Sequence, residues 1–302
     1  MRKILLIPRI KIHNANALSS PYTIGFPAMT AWLGATHAFE RKLRETEFSE
    51  VQFKSMAVVC HDIALQTYKG NGDFVHSIIG TGNPLVPKTK NGDSQNAERP
   101  SFIEEARCHL TVSLIIEYEN LGLDVDEFTE TVDHIFQGKM KLAGGDIMGC
   151  LPSRLISVHD QVSQQKLLRL LMPGHCLLER RDLMKKAMAD GQDSIDALLE
   201  YLKVTHRCET DDNEKVKWIS SRKEKGWIVP IATGFHGISE PGKAMHQRDP
   251  DTTHRFAESI VTLGEFVMPH RITDLDNMLW HYHTDQENNL YLCQQNLPVV
   301  EI

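Results

Sequence analysis

The stretch "ARCHLTVSLIIE", Ala106 to Glu117, decides how the chain is read. Ala106, Cys108, Leu110, Val112, Leu114 and Ile116 alternate with Arg107, His109, Thr111, Ser113, Ile115 and Glu117. Side chains of a strand point to opposite faces in turn, so this period of two predicts a half-buried β-strand. Upstream, "KILLIPRIKI" (3–12) reads as a first strand, continuous at first and then alternating through Ile10 and Ile12. A polar loop of about fifteen residues is expected after Ile12. It leads to a helix with Pro27 at its first position, where Trp32, Thr36, Phe39 and Leu43 recur at helical spacing. "VQFKSMAVVC" (51–60) reads as a second strand. Downstream, an acid-capped helix is expected at 126–137, then "GKMKLAGGDIMG" (138–149) as a strand with a glycine pair.

The order is strand, helix, strand, strand, helix, strand, the split βαβ pattern that ferredoxin-like and RNA-recognition folds share. The expected fold is therefore α+β: a modified RNA-recognition-motif core over 1–150, with a projecting hairpin or loop near 61–100, where "KGNGD", "GTGNP" and "TKNGD" carry turn chemistry. Residues 160–212 read as a helical insertion, from "QQKLLRLLM", "LLERRDLMKKAMA" and "DSIDALLEYLKV". From 213 to 302 the chain reads as β-rich, packed on the core.

The 302 residues are 41% apolar and 24% charged, ample for a packed core. The apolar runs are too short for a membrane-spanning helix, and "MRKILLIPRIK" reads as a strand interrupted by Pro8, not as a signal peptide. Six scattered cysteines, none in a C-x-x-C pair, point to free thiols in a reducing cytoplasm. Neither a phosphate-binding loop nor a dinucleotide fingerprint, nucleophile elbow or H-E-x-x-H motif occurs, and the "HYH" pair at His281 and His283 lacks a third metal ligand. No cofactor, metal or catalytic residue is expected.

Net charge is −7, which disfavours nucleic acid, but the charge is segregated. Arg2 to Arg44 carries seven Lys/Arg against Glu40 alone, while Ser101 to Asp133 carries nine acids against Arg107. Three segments combine cations, amides and small residues. In the first, Arg9, Asn14, Asn16, Ser19, Ser20, His37 and Arg41 surround an acid-free loop leading to a helix N-terminus, a combination suited to base edges and phosphate. An Asx/Ser turn that satisfies its own backbone fits the loop as well. In the second, Lys139 and Lys141 precede Gly144 and Gly145, which admit a close backbone or form a bulge. The third brings Arg248, Arg255, His270 and Arg271, with Phe235 and His236 as stacking candidates. His37 and His270 are also the candidate general acids or bases if the chain cuts RNA.

Taken together, "LLIPRIKIHNANALSSPYTIGFPAMTAWLGATHAFERKL", "RCHLTVSLIIE", "KMKLAGGDI", "LLRLLMPGHCLLERRDLM" and "GWIVPIATGFHGIS…RDPDTTHRFAESIVTLGEFVMPHRI" closely resemble the second Csy subunit of type I-F CRISPR surveillance complexes. The resemblance implies a non-catalytic RNA-binding subunit that caps the 5′ handle of a CRISPR RNA. It further implies pairing with the large subunit as a heterodimer and contact with the first backbone subunit through a projecting thumb. Target double-stranded DNA is met through the assembled complex. In such complexes a different subunit cuts the RNA. The alternative is a metal-independent endoribonuclease of the same fold that processes repeat RNA.

Overall fold

A computed structural model describes residues 1–81, 86–87, 97–98, 105–122, 124–210, 216–245, 247 and 249–296. The fold is α+β, with five α-helices and one large antiparallel sheet among the described residues. The strands used below are β1 (Arg2–Asn16), β2 (Gln52–Leu65), β3 (Glu105–Glu119), β4 (Lys141–Leu142), β5 (Gly145–Gly149), β6 (Arg154–Val158), β7 (His175–Glu179), β8 (Ile228–Gly237), β9 (Ala257–Val267), β10 (Trp280–Asp285) and β11 (Leu290–Gln295). The helices are α1 (Met29–Leu43), α2 (Val125–Lys139), α3 (Gln161–Leu170), α4 (Arg181–Ala189) and α5 (Ser194–Leu202). The sheet runs β4-β5-β1-β3-β2-β7-β9-β8-β11-β10, and β6 adds to β1.

Alternation in the opening stretch sets the two faces of the sheet. Ala106, Cys108, Leu110, Val112, Leu114 and Ile116 of β3 are buried, with Leu5, Ile7, Ile10 and Ile12 of β1, in one core. Trp32, Phe39 and Leu43 of α1 and Phe128, Val132 and Phe136 of α2 close that core. Ile7 and Ile10 differ in parity yet share the face, because the register slips between them at Arg9, whose φ is +55°. The bulge resets the alternation, which is why the sequence shows a continuous run followed by a periodic one. On the opposite face Ile4, Leu6, Ala57, Val59 and Ile115 pack under α3 and the segment holding Ile272, Leu275 and Met278.

The second half of the chain extends the edge of β2 that β3 leaves free. His175 pairs with Cys60 and Cys176 with Val59, while Trp280 of β10 pairs with Met56. The run β7-β9-β8-β11-β10 thus begins and ends on one strand, a ring closed through β2. Trp280, fully buried, donates from Nε1 to the Leu177 carbonyl at 3.1 Å. Gln295 donates to the same carbonyl, accepts the Glu179 N–H at 2.7 Å, and its own N–H reaches the Glu179 carboxylate at 3.0 Å. Burial raises the Glu179 pKa, and the Gln295 N–H partly offsets this.

Several boundaries differ from the sequence reading. β1 continues through Asn16, so Asn14 and Asn16 are strand residues and the loop begins later. α1 starts at Met29 after an Ala28 cap; Pro27 precedes the helix, and its carbonyl accepts Trp32 Nε1 at 3.2 Å. β2 runs to Leu65, not Cys60. "GKMKLAGGDIMG" is not one strand: β4 and β5 form a hairpin whose turn residues Ala143 and Gly144 have φ of +48° and +74°, the two left-handed positions of a tight hairpin turn. Within 160–212 the "HCLLE" segment is strand β7, because its continuous apolar run serves a fully covered strand as well as a helix. Two-stranded pairs occupy Thr67–Tyr68 with Ser77–Ile78 and Thr205–Thr210 with Val216–Ser221. Within the expected projection at 61–100, residues 82–85, 88–96 and 99–100 lie outside the described residues.

Candidate nucleic-acid interface

The end of β1 gathers polar groups on both faces of the sheet. A second register slip lies between Ile12 and Ala15, with Asn14 at φ +55°. The slip turns Asn14 toward polar residues of β3 and the end of β2. Its Oδ1 accepts Gln66 Nε2 at 2.7 Å, its carbonyl accepts Arg107 Nη1 at 3.2 Å, and its N–H lies 3.4 Å from His109 Nδ1. Gln66 Nε2 is also 3.3 Å from His109 Nε2, and the His13 ring centroid stands 4.7 Å from that of His109. A neutral imidazole accepts at one nitrogen only. In that form His109 takes either the Asn14 N–H or the Gln66 amide, not both.

Nearer the middle of the sheet the network is complete. The Pro173 carbonyl can only accept, so His61 Nδ1 donates to it at 2.6 Å. His61 Nε2 then accepts the Ser113 hydroxyl at 2.6 Å, and Ser113 Oγ accepts the Arg9 N–H at 3.0 Å. Burial lowers the His61 pKa, against the opposing pull of the Pro173 carbonyl, consistent with a neutral ring. Arg9 Nη2 donates to the Met172 carbonyl at 2.9 Å, so this cation braces the turn beneath it.

Across the end of the sheet, on the α1 side, is a cavity of about 400 Å³. Asn16, Ser19, Thr30, Ala143 and Phe235 line it, together with Ala28 at the start of α1. The helix start has no side-chain cap and no acid in its first turn. Its partial positive charge is therefore uncompensated by side chains, a setting that favours an anion. Of the residues chosen from sequence, Asn16, Ser19 and Phe235 line this cavity, with Ala143 from the turn before Gly144 and Gly145; none of Arg255, His270 or Arg271 does.

Other expected residues have structural duties or lie elsewhere. Asn16 Oδ1 accepts the Leu18 N–H at 2.9 Å, and Ser19 and Ser20 bond Thr23 Oγ1 at 2.9 and 2.6 Å, so the self-satisfied turn is present in large part. The Asn16 amide NH2 donates to no group among the described residues and remains able to read a base. Gly145 packs on β1 itself: an added Cβ would stand 2.7 Å from the His13 carbonyl oxygen. Lys141 pairs with Asp146 at 2.7 Å, and Lys139 is exposed at the end of α2. His37 lines a separate cavity beside Lys54 and Tyr282, with Arg41 exposed one turn on. His270 lines another, opposite Gln161 and Arg169 of α3, with Arg271 exposed next to it. His236 faces Glu258 at 3.9 Å. Arg255 crosses Gly237 and donates to Asn289 Oδ1 at 2.7 Å, while its Nε is buried without a partner. Arg248 lies outside the described residues.

Sequence reasoning passed over His13, Gln66, Arg107 and His109. The signal was present: the opening alternation puts Arg107 and His109 on the face away from α1 and α2. Among the described residues no cluster of three His, Cys, Asp or Glu side chains is placed to hold a metal, and no helix is long and apolar enough to cross a membrane. All six cysteines are free.

The model of one family, CRISPR-associated protein (Cas_Csy2), matches residues 5–293. A curated relative, CRISPR-associated protein Csy2 of Pseudomonas aeruginosa (strain UCBPP-PA14), is 30% identical over 317 aligned positions, covering 95% of this chain and 94% of its own. The match spans both the β1 end and the closed strand ring, so the chain belongs to the Csy2 family of CRISPR-associated proteins.

Proposed function

We propose that this chain is the RNA-binding subunit of a type I-F CRISPR RNA-guided surveillance complex, a cytoplasmic assembly in which it caps the 5′ handle of the CRISPR RNA. In this reading it pairs with the large subunit, abuts the first backbone subunit, and meets target double-stranded DNA through the assembly. The order β5-β1-β3-β2, all antiparallel with α1 and α2 on one face, is that of a ferredoxin-like RNA-recognition core and supports the reading. The observation that carries it is the convergence of Asn16, the uncapped start of α1 and Phe235 on one cavity without an acidic lining residue, at the sheet end that also holds Asn14, Arg107 and His109. Splayed bases and a few phosphates need such a local face, not a basic protein, so the −7 net charge is no obstacle.

The role proposed is one of binding. His37 and His270, either of which could serve cleavage in the alternative reading, line two different cavities away from Asn16 and Phe235. The chain is to be purified with its partner subunits and a CRISPR RNA, and the affinity for native and scrambled 5′ handles compared. Tighter binding of the native handle, weakened by Asn16→Ala and Arg107→Ala, is expected. Equal binding of both RNAs overturns handle recognition, and cleavage of repeat RNA by the purified chain overturns the non-catalytic assignment.

A further inference from the structure

Three half-exposed aromatic rings lie in a row across neighbouring strands of the ring. Phe235 of β8 is directly opposite Tyr291 of β11, and the Tyr291 ring stands 5.3 Å from that of Tyr282 on β10. Their exposures are 40%, 39% and 37%, so each presents much of one side to solvent. Gly234, next to Phe235, and Cys293, the cross-strand partner of Tyr282, are buried, so the rings border packed positions of the sheet.

The row runs beside α1. Its Phe235 end shares a cavity with Thr30 and Ala31 in the first turn of the helix, and its Tyr282 end shares another with Thr36 and His37 two turns later. Thr30, Gly34, His37 and Arg41 form one stripe of α1 by spacing, and the last three are exposed. Gly34 leaves open space where a side chain would stand, since a Cβ there meets no atom within 4 Å. His37 makes no hydrogen bond or ion pair among the described residues. The acid in this region, Glu40, is held by Arg44 at 2.7 Å, and Lys54 is paired with Glu119 at 2.9 Å.

We infer that Phe235, Tyr291 and Tyr282 form a base-stacking track for single-stranded RNA, with His37 on the facing side of α1, and Arg41 exposed one turn on, as phosphate partners. Every base has a flat π-face, so such a track binds with little regard to sequence, whereas the amides at the β1 end read base edges. The track extends RNA contact from the handle cavity along the helix. It presupposes that the chain binds RNA.

The test uses the full chain, alone and with its partner subunits. The probe is a single-stranded RNA carrying 2-aminopurine at successive positions, whose fluorescence is quenched by stacking. Quenching at two or three neighbouring positions is expected. Tyr282→Leu and Tyr291→Leu each abolish it at one position and weaken binding roughly tenfold. Tyr291→Phe and Tyr282→Trp, which keep a ring, preserve it. If RNA binds the wild type but the leucine variants bind and quench equally well, the track is overturned while RNA binding stands. If the wild type binds no RNA in either form, both the track and the RNA-binding function fall. If a proline-rich peptide perturbs the tyrosine fluorescence and RNA does not, the occupant is wrong.

Discussion

Replacing Gly145 by alanine tests whether the glycine pair serves the fold or a ligand. An added Cβ would stand 2.7 Å from the His13 carbonyl oxygen, 2.7 Å from Ile12 Cγ2 and 2.8 Å from the Ala15 N. Two of these are backbone atoms of β1 and cannot swing aside, so β5 must retreat from β1. Overpacking of this kind costs about 3 kcal/mol, the upper part of its usual range. Gly144 provides the control. Its φ is +74°, so alanine there pays the left-handed penalty of about 1 kcal/mol, but its Cβ meets only Arg107 Nη1 at 3.9 Å. Urea denaturation of the purified chain, followed by circular dichroism, reads both. Gly145→Ala is expected to lower the midpoint about three times as far as Gly144→Ala, and to lose RNA affinity in step as Asn14 and Asn16 shift. Should Gly145→Ala unfold within about 0.5 kcal/mol of wild type while RNA binding falls, the glycine serves the ligand, and the packing argument fails.

Three further outcomes follow from the same geometry. His61 has a depressed pKa in the folded protein, so the folded state binds fewer protons; stability is expected to fall as pH drops below about 6.5 and through the folded pKa, and His61→Gln should flatten that part of a pH–stability curve. Arg41 is exposed, so Arg41→Ala should leave stability within about 0.5 kcal/mol while reducing the slope of log affinity against log salt by about 0.7, as expected for one single-strand phosphate contact; an unchanged slope removes Arg41 from the interface. Burial pushes the thiols of Cys60 and Cys293 up to about 12 and that of Cys108 to about 11, whereas Cys208 is exposed; a disulfide reagent at pH 8 should label Cys208 first, and rapid labelling of Cys60 under native conditions would contradict the packing of β2.

The parts of the fold legible in sequence are those where one physical signal dominates. Alternation from Ala106 to Val112 has one solution, a strand with a covered face and a polar face; beyond it Ser113 and Ile115 are buried on the other face as well, where Ile115 packs under α3. The apolar spacing of Trp32, Thr36, Phe39 and Leu43 likewise has one. "HCLLERRDLM" has two, because an apolar run of a few residues suits a covered strand or a helix, and only the free edge of β2 decides between them. Asn14 and Asn16 look like loop residues by composition, yet β1 continues past the slip after Ile12: Asn14 sits in the slip, while Asn16 pairs with Arg107 and donates its N–H to the Ala143 carbonyl. At the candidate interface, residue type pointed to Asn16 and Phe235. Type could not separate Arg107, which reaches the Asn14 carbonyl, from Arg9, which props the Met172 turn, since that depends on which face of a bulged strand each occupies. The row of Phe235, Tyr291 and Tyr282 was invisible for a related reason: strand pairing, not sequence spacing, makes those rings neighbours.

The closure of the strand ring on β2 also fixes a timetable during synthesis. The edge of β2 offered by Met56, Val59 and Cys60 is complete once β2 leaves the ribosome, but its partners arrive much later, at His175 and then at Trp280. At 5–20 residues per second, the wait for Trp280 is roughly 10 to 40 s. Until β7 arrives the nascent chain lacks the partner of Val59 and Cys60, and until Trp280 arrives it lacks that of Met56, leaving apolar strand edge unpaired. Slower translation between the end of β2 and Trp280 lengthens that exposure and is expected to lower the yield of folded chain.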